Sequence, residues 1–106
     1  TASGAGVTGG SSSLAYGSSK GGVHGLSLVM ESHLEKYNIR VNDVLPGSVD
    51  TPLKVANVQD MHDAGGKKGN LEEKISALVS PDDISKVYAF LASDDASMIR
   101  GSVRTR

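Results

Sequence analysis

Tyr16-Gly-Ser-Ser-Lys-Gly-Gly-Val-His-Gly-Leu26 opens the longest helical pattern in the chain. Tyr16, Val23, Met30 and Tyr37 recur every seven residues, with Leu26 and Leu34 on the same side. This period predicts one helix from about Leu14 to Lys36, its apolar stripe turned toward a sheet and carrying Tyr16 with it. Ser11, Ser12 and Ser13 are candidate N-caps. Tyr16 and Lys20, four residues apart, share a helix face one turn apart. A free phenol titrates at about 10, too high for efficient proton exchange at neutral pH. An ammonium about 5 Å away, at an effective dielectric of about 20, favours the phenolate by roughly 3 kcal/mol, or about two pKa units. The pair alone also fits an aromatic packed on the core beside a solvated lysine.

The flanking text supplies the other elements. Residues 1–13 read as a loop, with the end of a strand at Thr1. Ile39 to Leu45 reads as a short buried strand that stops at Pro46-Gly47. Asp43 inside that strand needs a partner, because an unpaired carboxylate is costly to bury; the sequence names none. Residues 54–70 are polar and glycine-rich, and Gly65-Gly-Lys-Lys-Gly69 at their end reads as a solvated loop. Leu71 to Val79 suits a short helix. Ser80-Pro-Asp-Asp83 is a helix start, with Ser as cap, Pro in the first turn and two acids at the positive end of the dipole. Ile84, Val87, Tyr88 and Leu91 form its apolar face. Ser102 to Thr105 opens a last strand. Helix, strand, helix, strand in this order predicts an α/β fold, half of a doubly wound parallel sheet.

Three segments in order resemble one family. They are Thr1-Ala-Ser-Gly-Ala-Gly6, the Tyr16 to Leu26 stretch, and Ile39-Arg-Val-Asn-Asp-Val-Leu-Pro-Gly-Ser-Val-Asp-Thr-Pro52. Together they resemble the C-terminal half of the short-chain dehydrogenase/reductase family, over nearly all 106 residues. The resemblance implies a Rossmann-like, NAD- or NADP-dependent oxidoreductase acting between an alcohol and a carbonyl. Ser3, thirteen residues before Tyr16, matches the family's catalytic serine in spacing; a serine beside glycines also simply makes turns. By the same resemblance Tyr16 is the general acid and base, Ser3 orients the substrate oxygen, and Lys20 tunes the phenol and holds the nicotinamide ribose. Pro46, Gly47, Val49 and Thr51 then border the nicotinamide, with the Val49 N–H and the Thr51 hydroxyl on its carboxamide. The competing reading of that segment is a plain turn with Thr51 as a helix cap. Residues 53–80 would cover the substrate.

Departures from the pattern matter as well. Gly4-Ala-Gly-Val-Thr-Gly9 matches G-x-G-x-x-G literally, but only three residues precede it, three serines follow Gly10, and no acid appears before Glu31. It reads as a turn that lets Ser3 face Tyr16 rather than a dinucleotide fingerprint. The family's N-terminal glycine-rich turn, its relay asparagine and its late Asp-Gly-Gly are not in this sequence, and a small or apolar residue usually stands where Asp43 is. The chain reads as a piece of a longer protein, the catalytic half of one dinucleotide-binding domain, inactive alone. Eight of its 13 glycines fall in the first 25 residues, an unusual opening for a domain.

Gly17, Gly21 and Gly25 form a ridge that costs about 1 kcal/mol per glycine relative to alanine, so a close approach should offset it. Packing on the protein's own sheet is one explanation. A helix contact between subunits is the other, favoured because family members commonly form dimers or tetramers through this helix. If the chain is a whole polypeptide, the alternative function is a non-catalytic interaction module that dimerises through that helix.

Bulk numbers exclude more than they select. A net charge of −1 gives no argument for nucleic acid or a membrane surface as partner. Without cysteine there are no disulfides or thiolate metal sites. No apolar run reaches transmembrane length, so a cytoplasmic protein is the default expectation. His24, His33 and His62 lack metal-ligand spacing and read as structural.

Overall fold

The computed structural model describes residues 1–10, 13–65 and 69–106. Ser11 and Ser12, two of the candidate caps, and the Lys67–Lys68 pair lie outside them. The elements are α1 (Gly4–Thr8), α2 (Leu14–Leu34), β1 (Asn42–Leu45), α3 (Pro52–Asp63), α4 (Leu71–Ser76), α5 (Pro81–Ala92) and β2 (Gly101–Arg104). Side-chain oxygens set most of the helix starts. Ser13 accepts from the Tyr16 N–H to cap α2, and Ser80 accepts from the Asp82 N–H to cap α5. Pro81 follows in the first turn of α5, where its missing N–H costs nothing.

β1 and β2 pair in parallel, with Asn42 opposite Gly101 and Leu45 opposite Arg104. On the other side of β1 the Ala2 N–H donates to the Val44 carbonyl at 2.9 Å, but residues 1–3 form no strand. The core is small: Val44, Leu91 and Ala96, with Val87, Ile99 and Val103 against them. Ile84 and Leu91 are buried as the α5 pattern predicts. The predicted α/β fold with a parallel sheet is therefore present.

Arg40 closes the end of α5. Its Nη1 donates to the carbonyls of Leu91 and Ala96 at 3.0 and 2.9 Å, and its Nη2 to that of Ser93 at 3.3 Å. The last carbonyls of a helix have no partner within it, and a guanidinium there answers both the hydrogen bonds and the dipole.

Three expectations need correction. The segment expected as a loop forms α1, because Ser3 caps it through the Ala5 N–H and Gly9 ends it in the left-handed region at φ 72°. The sequence predicts no element for residues 54–63, and they belong to α3, which starts at Pro52 under a Thr51 cap. The face of α2 is also different. Leu26 and Met30 of the apolar stripe are 59% and 41% exposed, and Tyr16 is 49% exposed. The face against the sheet carries Lys20, His24 and Glu31, whose side chains meet polar groups of other segments. The helical period was right, but the sheet face offers polar partners and so takes the polar stripe.

The glycine ridge also divides. A Cβ at Gly21 would stand 3.1 Å from the Gly6 carbonyl oxygen, and one at Gly6 only 2.3 Å from the Gly21 nitrogen. The close approach at Gly21 is thus between α1 and α2 of the same chain. Gly25 has nothing within 4 Å.

Candidate active site

Three segments bring the predicted residues to one cavity of about 840 Å³. Ser3 comes from the start of α1, Tyr16 and Lys20 from the first two turns of α2, and Pro46, Gly47, Val49 and Thr51 from the run between β1 and α3. All seven line it. The α1–α2 contact through Gly6 and Gly21 sets the spacing between Ser3 and the helix that carries Tyr16.

The free hydrogen-bonding valences point to what the cavity can do. Ser3 Oγ accepts from the Ala5 N–H at 3.2 Å, and Thr51 Oγ1 accepts from the Lys54 N–H at 3.2 Å. Each cap uses a lone pair and leaves the O–H free to donate. Lys20 Nζ donates to the Thr1 carbonyl at 3.1 Å, which anchors it and spends one of three N–H groups. The Tyr16 hydroxyl has no partner among the described residues. Val49 forms a lone parallel bridge with Val79, in which the Asp50 N–H meets the Val79 carbonyl and the Val79 N–H meets that of Ser48. The Val49 N–H itself stays without a partner among the described residues.

Behind the cavity the sequence left a gap that the structure fills. Asp43 is 2% exposed. His24 Nδ1–H donates to its Oδ2 at 2.8 Å and the Ser102 hydroxyl to its Oδ1 at 2.6 Å. Burial pushes its pKa up, but the hydrogen bonds from His24 and Ser102 outweigh that and hold the carboxyl below its usual range. Further along α2, Arg100 and the Val41 N–H both donate to Glu31 at 2.7 Å, and together they lower its pKa. The signal was available: Lys20, His24, Ser27 and Glu31 recur at i, i+4, i+7 and i+11, a helix face in polar residues. Among the described residues no group of His, Asp and Glu could hold a metal, and no helix is long and apolar enough to cross a membrane.

A family model described as enoyl-(acyl carrier protein) reductase matches residues 1–105. The chain belongs to the short-chain dehydrogenase/reductase family. It is 38% identical over 98 residues to trans-4-hydroxycyclohexanecarboxylate dehydrogenase of Sinomonas cyclohexanicum, covering 92% of this chain and 34% of that protein. Among solved structures it is similar to a variant actinorhodin polyketide ketoreductase with NADPH, with TM-score 0.80 and 25% identity over 98% of this chain and 43% of that one. It is likewise similar to a short chain dehydrogenase from Mycobacterium paratuberculosis bound to NAD, with TM-score 0.74 and 26% identity over 98% of this chain and 41% of that one. The chain thus spans about a third of the length of that curated relative.

Proposed function

We propose that this chain is the catalytic half of an NAD(P)-dependent oxidoreductase that interconverts an alcohol and a carbonyl. The observation that carries the reading is the meeting of Ser3, Tyr16 and Lys20 with Val49 and Thr51 around one cavity. The residues suit a nicotinamide nucleotide. The Val49 N–H, unpaired among the described residues, and the Thr51 hydroxyl are donors for a planar carboxamide, and Lys20 keeps two N–H groups for ribose hydroxyls. When bound, that group supplies or accepts the hydride at the substrate carbon.

The protein's own part is proton transfer and orientation. Ser3 donates its free O–H to the substrate oxygen and fixes the substrate's position. Tyr16 gives its proton to the same oxygen as alkoxide character develops, and takes it back in the oxidising direction. Lys20, one turn along α2, lines the same cavity beside Tyr16. Residues 53–80 act as a cover, with Leu53, Lys54 and Asn57 of α3 facing the cavity. The sources of NAD and NADP selectivity lie outside these motifs.

The test is Tyr16→Phe in the intact protein. Turnover should fall by about 10²-fold or more, the usual scale for removing a general acid, while dinucleotide binding by titration persists. Near-normal rates remove Tyr16 from the chemistry.

A second reading is a non-catalytic module that self-associates through α2. The exposure of Leu26, Val29 and Met30 on one helix favours it. The same exposure is compatible with a dimeric or tetrameric enzyme. Sedimentation with and without Val29→Glu, alongside the turnover assay, separates the two: a module that associates but never reduces a carbonyl favours the second.

A further inference from the structure

We propose that the substrate taken by this cavity carries an anionic group, a carboxylate or phosphate, held by Lys54 and Arg104. The inference rests on the alcohol–carbonyl reading and narrows it to a substrate class. Four of the chain's 11 cationic residues line the cavity, and none of its 12 acids does, although the chain as a whole carries −1. Charge has been sorted here rather than scattered.

Two of the four cations have other roles. Lys20 is anchored on the Thr1 carbonyl next to Tyr16. Arg106 lies close enough to Asp83 to lower that carboxyl's pKa, a minor effect beside the hydrogen bond from Lys86. Lys54 and Arg104 remain. One stands in the first turn of α3 and the other ends β2, so two separate elements bring them to the same cavity. Neither forms an ion pair among the described residues. Surface cations without partners are ordinary; two cations from separate elements in one acid-free concavity focus a positive field on whatever enters it. Asn57, one turn beyond Lys54 on the cavity side of α3, adds an amide donor suited to the same anion. A lid helix that carries the cation couples recognition of the anion to closure over the carbonyl.

The anion could instead be a phosphate of the dinucleotide, and the experiment separates these sources. A series of keto acids of four to eight carbons is compared with their methyl esters, which keep the carbonyl and remove the charge. The intact protein should prefer the acids in kcat/KM by about tenfold or more, the scale of one charge-assisted hydrogen bond. Lys54→Gln and Arg104→Gln should each erase much of that preference by raising KM for the acids far more than KM for the esters. Equal rates for acids and esters overturn the proposal, and so does a variant effect confined to the KM for the dinucleotide. If no member of any pair reacts, the oxidoreductase reading fails by itself. Titration calorimetry then decides the anion site: acid binding that Lys54→Gln abolishes supports it, and equal or absent binding of acid and ester overturns it.

Discussion

His24 Nδ1 stands 2.8 Å from Oδ2 of Asp43, and this contact ties α2 to β1 one turn beyond Lys20. Its consequence is a defined acid sensitivity. The folded carboxyl titrates below its ordinary value, so the unfolded chain binds the proton more readily. Asp43 therefore adds stability that is fully present above the unfolded value of about 4 and is lost as pH falls through the depressed folded value. Asp43→Asn should be less stable than the parent at pH 7 and should lose less stability between pH 5 and pH 2, because it removes one of the groups that must take up a proton. Chemical denaturation at a series of pH values measures this. Parallel curves for the two proteins would mean that the pair does not couple folding to pH.

Removing the other partner has a different signature. His24→Ala leaves a carboxylate buried with fewer donors, at a cost of about 1.5–3 kcal/mol for a hydrogen bond to a charged group. Ser102 still donates to Asp43, so the cost should sit at the low end of that range. Thermal melting of His24→Ala, Ser102→Ala and the double variant should show that the second loss costs more than the first. Strictly additive losses would argue that the two donors do not share one carboxylate.

Gly6 sets the distance between α1 and α2. An alanine there would place its methyl carbon 2.3 Å from the Gly21 nitrogen and 2.5 Å from the Lys20 carbonyl carbon, both backbone atoms that cannot yield. Gly6→Ala should lower stability by about 1–3 kcal/mol, as overpacking does. It should also lower kcat by moving Ser3 away from Tyr16. Gly4→Ala is the control, since nothing lies within 4 Å of a Cβ at that position. Melting and turnover of the two variants, measured side by side, check the claim; similar behaviour would relocate the constraint.

How much of this was legible in the sequence depends on the range of each signal. Local signals served well. Ser80-Pro81 and the acids behind it mark the start of α5, and the same chemistry marks α3 at Thr51-Pro52, which was first weighed as a turn and cap. The seven candidate residues stand out because their spacing resembles a family, and the structure brings them to one cavity. Contacts made across the sheet were not legible. Asp43 meets Ser102 only because β1 and β2 pair in that register, and no pattern within β1 announces it. Arg40 reaches α5 across 51 residues of sequence. The apolar stripe of α2 does not by itself choose the buried side, because the partners that decide it lie in other segments. The Gly6–Gly21 approach was hidden in the same way, since each glycine alone fits a turn or a ridge.

Arg40 offers a test of geometry against charge. Its two nitrogens reach three carbonyls, those of Leu91 and Ser93 at the end of α5 and that of Ala96 in the turn after it. An ammonium on a lysine stem keeps the charge but lacks the planar fork. Arg40→Lys should therefore cost about 1–3 kcal/mol, the range for leaving a partly buried carbonyl without its donor. The loss should change little with salt, because short hydrogen bonds rather than long-range attraction are removed. Melting in low and high salt gives the answer; a cost that vanishes in high salt would show that charge alone mattered.

Thr51 carries two roles that substitution can separate. As a cap, its oxygen accepts from the Lys54 N–H and holds the first turn of α3. As a proposed ligand, its O–H donates into the cavity. Thr51→Val removes both, and should cost about 1 kcal/mol of stability together with a weaker hold on the dinucleotide. Thr51→Ser keeps both and should behave like the parent. Thr51→Asp distinguishes them, because an ionised carboxylate caps a helix well and suits its dipole but has no proton to donate. Its melting temperature should match or exceed that of the parent while dinucleotide affinity falls. If affinity instead tracks stability across all three variants, Thr51 acts only by shaping α3, and the carboxamide contact must be sought at the Val49 N–H alone.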